Sequence, residues 1–263
     1  PLVDPYARHW GMRITIVAGA DAAPFVHELA AQLEPTDELT VIAPTVRGHL
    51  AAGLQASPDL DGLLSSSATP TYAVADALAA VEFTPAWQRA SDQAVAARLI
   101  RTQLLATGAT LTDATIAASL RAALPFRLLP MCDERAEFRV VIGSDEPRAI
   151  HVGEYLAAPD SYDPTQLLLV ADPLSLSSAV TEALSDTDVL VLGPSSRTLA
   201  IDPVLRTHGL LELLDSDLPV LAVEHEDDAP ADLINVSGLG QPDPGRPRSV
   251  PNEAKAVLEA ATA

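Results

Sequence analysis

The period of apolar and polar positions changes several times along this chain, and each change marks an element. Arg13-Ile-Thr-Ile-Val-Ala18 is a β-branched run that stops at Gly19, the pattern of a buried strand. From Pro24 to Leu33 the spacing becomes helical, with Phe25, Leu29 and Leu33 on one face and Pro24 in the first turn. Leu39-Thr-Val-Ile-Ala43 is a second strand, halted by Pro44. Strand, helix and strand within about 30 residues form a βαβ unit, which favours a parallel sheet.

Helical spacing dominates the middle of the chain, over 73–81, 91–107 and 112–123, with Thr112 and Asp113 in a cap region. Strand character returns at 126–129, 137–142, 148–152 and 167–170. A helix at 177–184 leads to the strand Asp188-Val-Leu-Val-Leu192, which ends at Gly193. Two short helices, 203–206 and 210–214, precede a strand at 219–223. From Glu224 to Pro251 acids, Pro and Gly replace periodicity, and 252–261 has terminal-helix character.

The expected fold is α/β: a Rossmann-like, doubly wound, mostly parallel sheet. One domain is expected over 12–223, with a helical insertion at about 62–124 and an irregular acidic segment over 224–263. Ligands of doubly wound sheets bind beyond the C-terminal ends of the strands. The residues following Ala18, Ala43 and Leu192 are therefore the ones to inspect.

Composition narrows the partners. Hydrophobic residues make up 48% of the 263 positions but aromatics only 4%, so the core is aliphatic. The net charge of −20 repels phosphate backbones and anionic lipid, so neither nucleic acid nor membrane is an expected partner. The single cysteine, Cys132, excludes an internal disulfide and a Cys-rich metal site, and reads as a small packed residue. No apolar run approaches 18 residues, and Pro1 to Gly11 lacks the apolar stretch of a signal peptide. Met12, directly before the first strand, is a candidate start, and the expectation is a soluble, cytoplasmic protein.

Three segments carry candidate chemistry. Ser57-Pro-Asp-Leu-Asp61 sets two carboxylates two residues apart in an expected loop. It reads either as a turn or helix cap, or as a seat for a hard cation such as Mg²⁺. Pro130-Met-Cys-Asp-Glu-Arg135 is a polar cluster between strands, either a solvated turn or an anion grip built on Arg135. Gly193-Pro-Ser-Ser196 follows a buried strand and precedes a helix, where amides and hydroxyls suit an anion or serve turn geometry alone. His151 lies in strand context and reads as structural.

In this order, the segments resemble the 2-phospho-L-lactate transferase family (CofD, called FbiA in actinobacteria), which serves the synthesis of coenzyme F-420. The resemblance covers about Met12 to Val223. It rests on Ser57 to Asp61, Leu129 to Arg135 and Val191 to Ser195, with support from Arg101-Thr-Gln103, Ala149 to His151 with Glu154, and Ile201, Pro203 and Leu205. It implies transfer of a phospholactyl or phosphoenolpyruvyl group from a guanosine diphosphate-linked donor to the deazaflavin Fo, with GMP leaving and Mg²⁺ assisting. It assigns Asp59 and Asp61 to catalysis and to the metal. Substrate binding falls to Gly19, Ser57, Arg101, Asp133, Arg135, Gly193, Pro194, Ser195 and Ser196. A homodimer is also implied, with apolar faces at Leu99, Leu104 and Leu105.

The departures from the family pattern cluster at the expected site. A Gly-Gly-x-Gly-Gly loop is here Gly19-Ala-Asp-Ala-Ala23, which adds methyl groups and a negative charge. An Asn-x-Gly-Asp-Asp motif is here Pro44-Thr-Val-Arg-Gly48, without its acids. Gly-Asp-Arg-Asp becomes Ser91-Asp-Gln-Ala94, and the Asn after Gly-Pro-Ser becomes Ser196. Three readings stand open: a transferase working with altered ligands; a non-catalytic paralogue binding a nucleotide, a deazaflavin or a partner subunit; or an enzyme with a new substrate.

Overall fold

The first strand, β1 (Arg13–Val17), pairs in parallel with β2 (Glu38–Ala43) on one side and with β9 (Val189–Leu192) on the other. The computed structural model describes residues 11–65, 69–214, 217–226, 229–230, 232–233, 244 and 247–262. Beyond β2 lies β5 (Arg127–Pro130), and beyond β9 lie β10 (Val220–Val223) and β11 (Arg248–Val250). All neighbours in this six-stranded sheet are parallel, in the order β11-β10-β9-β1-β2-β5. The chain winds outward from β1 through β2 and β5, then returns to β9 and winds the other way. The switch point therefore lies between β1 and β9.

Side-chain alternation explains why the inner parts of these strands carry apolar residues on both faces. Val17, Ile42, Leu129, Leu190 and Leu192 belong to the core on one face, and Ile14, Ile16, Val41, Leu128 and Val191 to the core on the other. A strand covered on both faces has no polar side to show. The second core is closed by helix α1 (Ala23–Gln32), through Phe25, Val26 and Leu29, and by α2 (Pro58–Leu64), through Leu60 and Leu63.

The insertion holds α3 (Ala73–Ala80), α4 (Asp92–Ala106) and α5 (Leu111–Ala122), and α2 runs into its start. Before it lies a short hairpin, β3 (His49–Ala51) with β4 (Leu54–Ala56), which sequence spacing does not reveal. Three of the expected strands leave the parallel sheet. β6 (Ala136–Ile142) pairs antiparallel with β7 (Arg148–His151) and with β8 (Pro164–Ala171) in a separate sheet. The link from β6 to β7 is too short for the crossover that parallel pairing demands, and Gly143 turns it at φ +79°.

Helix α6 (Val152–Ala157) follows β7, α7 (Ser178–Ser185) precedes β9, and α8 (Asp202–Leu205) and α9 (Leu210–Leu213) lead to β10. Much of the expected irregular stretch over 224–251 lies outside the described residues. Its end, however, is structured: β11 extends the main sheet, and α10 (Ala254–Ala261) packs against it. Val250, Ala254 and Val257 are buried in the same core as Ile14 and Leu29. The boundary expected after residue 223 therefore does not end the domain, because its last strand and helix supply core side chains. Among the described residues no helix is long and apolar enough to cross a membrane.

Candidate functional site at the sheet switch point

Two turns meet beyond the C-terminal ends of β1 and β9. After β1 the chain passes through Gly19 into a 3-10 turn, Ala20–Ala22, before α1 begins. After β9, Gly193-Pro-Ser-Ser196 leads into a single π-helical turn, Arg197–Ile201, a geometry frequent at functional sites. The Gly19 amide donates to Ser195 Oγ at 2.9 Å, which ties the two turns together. Gly193 must be glycine here, because a Cβ would stand 2.9 Å from the Val17 carbonyl oxygen. Gly193, Pro194, Ser195 and Ser196 are all buried.

The donors of this turn already hold an anion, and it belongs to the chain itself. Ser195 Oγ donates to Asp21 Oδ1 at 2.7 Å, and the Ser196 amide donates to Asp21 Oδ2 at 3.2 Å. Asp21 stands at the variable position of the family's glycine loop, and its carboxylate sits on the turn donors that the sequence offers to an anion. Beside it opens a cleft of about 310 Å³ lined by Ala20, Asp21, Arg47, Leu156, Ser196 and Leu199.

Asp59 and Asp61 lie on a helix and not in a loop, since Pro58 at the first position of α2 starts it. Residues two apart on a helix point to nearly opposite sides, and these two find different partners. Asp59 is fully buried. Arg47 Nε reaches its Oδ2 at 3.0 Å, Arg47 Nη2 binds its Oδ1, and the Ala20 amide donates to Oδ1 at 3.1 Å. Asp61 instead takes Arg98 Nε on Oδ2 and Arg101 Nη1 beside Oδ1, each at 2.8 Å. Arg101 is 1% exposed and spends its Nη1 on Asp61 and the Gln55 carbonyl, so it forms part of the internal scaffold of α2 and α4.

The two carboxylates are thus turned apart and each is matched by guanidinium. This donor set does not fit a Mg²⁺ ion shared by Asp59 and Asp61. Among the described residues no group of three or more His, Cys, Asp and Glu side chains is arranged to hold a metal ion.

Ser57, Asp133 and Arg135 come together elsewhere. With Thr45, Gly48 and Glu134 they line a smaller pocket of about 160 Å³ next to the end of β2. Ser57 Oγ is buried there with no hydrogen-bond partner among the described residues. Asp133 accepts from the Thr112 amide at 2.7 Å, which places its charge at the N-terminus of α5. Arg135 is exposed, 3.7 Å from Glu137. Cys132 is buried beside Thr45 and its thiol is pushed up to about 11 by burial, so it carries no thiolate.

A cluster that the sequence does not announce closes the region. His151, at the end of β7, accepts from the Gly153 amide on Nδ1 at 2.9 Å and thereby caps α6. Its Nε2 lies 3.3 Å from the Gly48 carbonyl, so the proton sits on Nε2. Trp87 stacks on it with centroids 5.1 Å apart, and His49 meets both rings. Burial, then the neighbouring His49, lowers His151 to about 4, and burial also lowers His49.

The fold is that of a doubly wound α/β protein, with the candidate turns at the switch point of a parallel sheet. The chain belongs to the family described as 2-phospho-L-lactate transferase CofD, which it matches over residues 14–225. It is 31% identical over 229 residues to a phosphoenolpyruvate transferase of Streptomyces griseus subsp. griseus, covering 81% of this chain and 72% of the relative. It is likewise 31% identical over 217 residues to a phosphoenolpyruvate transferase of Kitasatospora aureofaciens, covering 76% and 68%. Among solved structures, protein BH3568 of Bacillus halodurans has a TM-score of 0.58 at 14% identity, over 86% of this chain and 75% of that one. At that identity the likeness is one of fold.

Proposed function

We propose that this chain is a strongly attenuated or non-catalytic member of its family. It binds at the switch point the kind of ligand the transferases use, and transfers the phospholactyl or phosphoenolpyruvyl group far more slowly than they do. The ligands in view are the guanosine diphosphate-linked donor and the deazaflavin Fo. The observation that carries this reading is the Asp21 carboxylate seated on the Ser195 hydroxyl and the Ser196 amide. A diphosphate seeking those donors meets a negative charge already bonded to them. Phosphoryl-type transfer depends on positioning and on charge stabilisation, and a site whose donors are taken supplies less of both.

The test is product formation from Fo and the guanosine diphosphate-linked donor, with the Streptomyces griseus relative alongside. Turnover at least about 100-fold below the relative is expected, the scale on which loss of a preorganised stabilising group acts. Asp21→Gly, which removes this carboxylate from the Ser195 hydroxyl and the Ser196 amide, is expected to tighten GDP binding. Turnover within about tenfold of the relative, or GDP binding unchanged in Asp21→Gly, contradicts the reading. A homodimer belongs to the same proposal. It is supported by apolar side chains left exposed on the insertion, among them Phe83 at 65% and Leu99 at 53%; Leu104 and Leu105 are half-buried in the chain's own packing.

A further inference from the structure

Asp59 is a carboxylate with no access to water, and such a group needs a counter-charge. The counter-charge comes from within the chain. The forked guanidinium of Arg47 takes both oxygens, Nε on Oδ2 at 3.0 Å and Nη2 on Oδ1. Its delivery does not depend on a ligand. The backbone at Arg47 bridges to Glu137 of β6, and the Phe138 amide donates to the Val46 carbonyl, so the path of the chain carries the guanidinium to α2.

A second carboxylate lies close to this pair. A Cβ built on Gly19 would be crowded by Asp59 Oδ1 at 3.0 Å and Asp21 Oδ1 at 2.8 Å, so the two oxygens flank Gly19 and are no farther apart than the sum of those distances. Asp21 and the Arg47 side chain that covers Asp59 line the same cleft of about 310 Å³. Neighbouring carboxylate oxygens are the donors a hard divalent cation takes, whereas a guanidinium offers only N–H groups and ligates no metal.

We infer that Arg47 is a tethered substitute for a divalent cation. Its guanidinium stands on Asp59 in place of a metal ion, so the native cleft is indifferent to Mg²⁺ and Mn²⁺. Removal of this one side chain turns the space it leaves between Asp21 and Asp59 into a cation site. Metal indifference is read on the protein alone, without donor or acceptor, so its failure is distinct from a failure of the slow-transfer reading above.

The experiment is a Mn²⁺ titration followed by electron paramagnetic resonance, with thermal melting in Mg²⁺ against EDTA. It is run on the wild type, Arg47→Asp and Arg47→Asn, and on each of these three with Asp59→Asn added. In the wild type, Mn²⁺ is expected to stay free up to about 1 mM and the melting midpoint to be the same in both buffers. Arg47→Asp is expected to bind Mn²⁺ at least about tenfold more tightly than the wild type and to lose that binding when Asp59→Asn is added. Wild-type binding of Mn²⁺ below about 1 mM that Asp59→Asn abolishes would overturn the inference. So would an Arg47→Asp protein with a native circular dichroism spectrum and no gain in binding. If Arg47→Asp fails to fold, Arg47→Asn decides: it removes the guanidinium without a further buried charge, and a folded Arg47→Asn that gains no Mn²⁺ binding overturns the inference equally.

Discussion

Charge is spent inward in this protein, residue by residue. Asp59, Asp61, Arg98 and Arg101 are all nearly or wholly buried, and each is held by an opposite charge. Such pairs rarely add net stability over apolar side chains, yet breaking one by removing a partner costs about 3–5 kcal/mol. They act as fixed connections: Asp59 joins α2 to the turn after β1, and Asp61 joins α2 to α4. His151 shows the same economy with a titratable ring. Its value of about 4 in the folded chain lies below the ordinary histidine value of 6.5, so between these two pH values the unfolded chain takes up a proton that the folded chain refuses. Stability is therefore expected to be level above pH 6.5 and to fall as the pH drops toward 4, by roughly 2–3 kcal/mol from this residue. Urea denaturation of the wild type and of His151→Asn across that window measures it. The variant should lose much of the slope, and an equal slope in both would place the pH dependence elsewhere.

At the scale of elements, α2 is the piece on which the site depends. It holds Asp59 and Asp61, and it approaches the turn after β1 closely enough that Gly62 has no room for a side chain. A Cβ there would come within 2.5 Å of the Ala20 Cβ. Gly62→Ala must push α2 away from the turn that carries Ala20 and Asp21. Overpacking of this kind costs about 1–3 kcal/mol, against about 1 kcal/mol gained from better helix propensity. A net loss of up to about 2 kcal/mol in chemical denaturation is expected, recovered in large part by adding Ala20→Gly. Additive effects of the two substitutions would show that the close approach is not what the glycine protects. The same contact explains why the alanines of the former glycine loop matter: Ala20 fills space against α2, while Asp21 reaches across to β9.

For the whole molecule, the sheet and the insertion divide the labour. The parallel sheet sets the two turns at its switch point, and α2 brings Asp59 to the turn after β1 while its Asp61 ties it to α4 of the insertion. The insertion, with the hairpin before it, also leaves an apolar surface. Leu50, Val81, Phe83 and Leu99 are each more than half exposed, near a cavity of about 430 Å³ between the β3–β4 hairpin, α3 and α4. Exposed apolar side chains that form one large contiguous patch mark association surfaces. Light scattering at tens of micromolar is expected to return twice the 27.5 kDa chain mass, and Phe83→Glu with Leu99→Glu to return the single mass. A monomeric wild type removes the dimer.

The apolar runs along the chain were enough to place five of the six strands of the parallel sheet, helices α1, α4, α5 and α7, and the turns at Gly19 and Gly193 that form the candidate site. Burial on both faces leaves its mark on each strand's own residues, so a local reading suffices. Pairing is different. The antiparallel β6–β8 sheet, the β3–β4 hairpin and the return of β11 to the edge of the main sheet depend on short links and on edges that no single run records. The site shows the same division. The loss of glycines at Ala20, Ala22 and Ala23 and the arrival of Arg47 are visible in the sequence as departures. That Asp21 would rest on Ser195, 174 residues away, and Arg47 on Asp59 was decided only when the fold brought those elements together. A charge finds its partner through space, and neither its own position in the chain nor the residue types around it state which partner that will be.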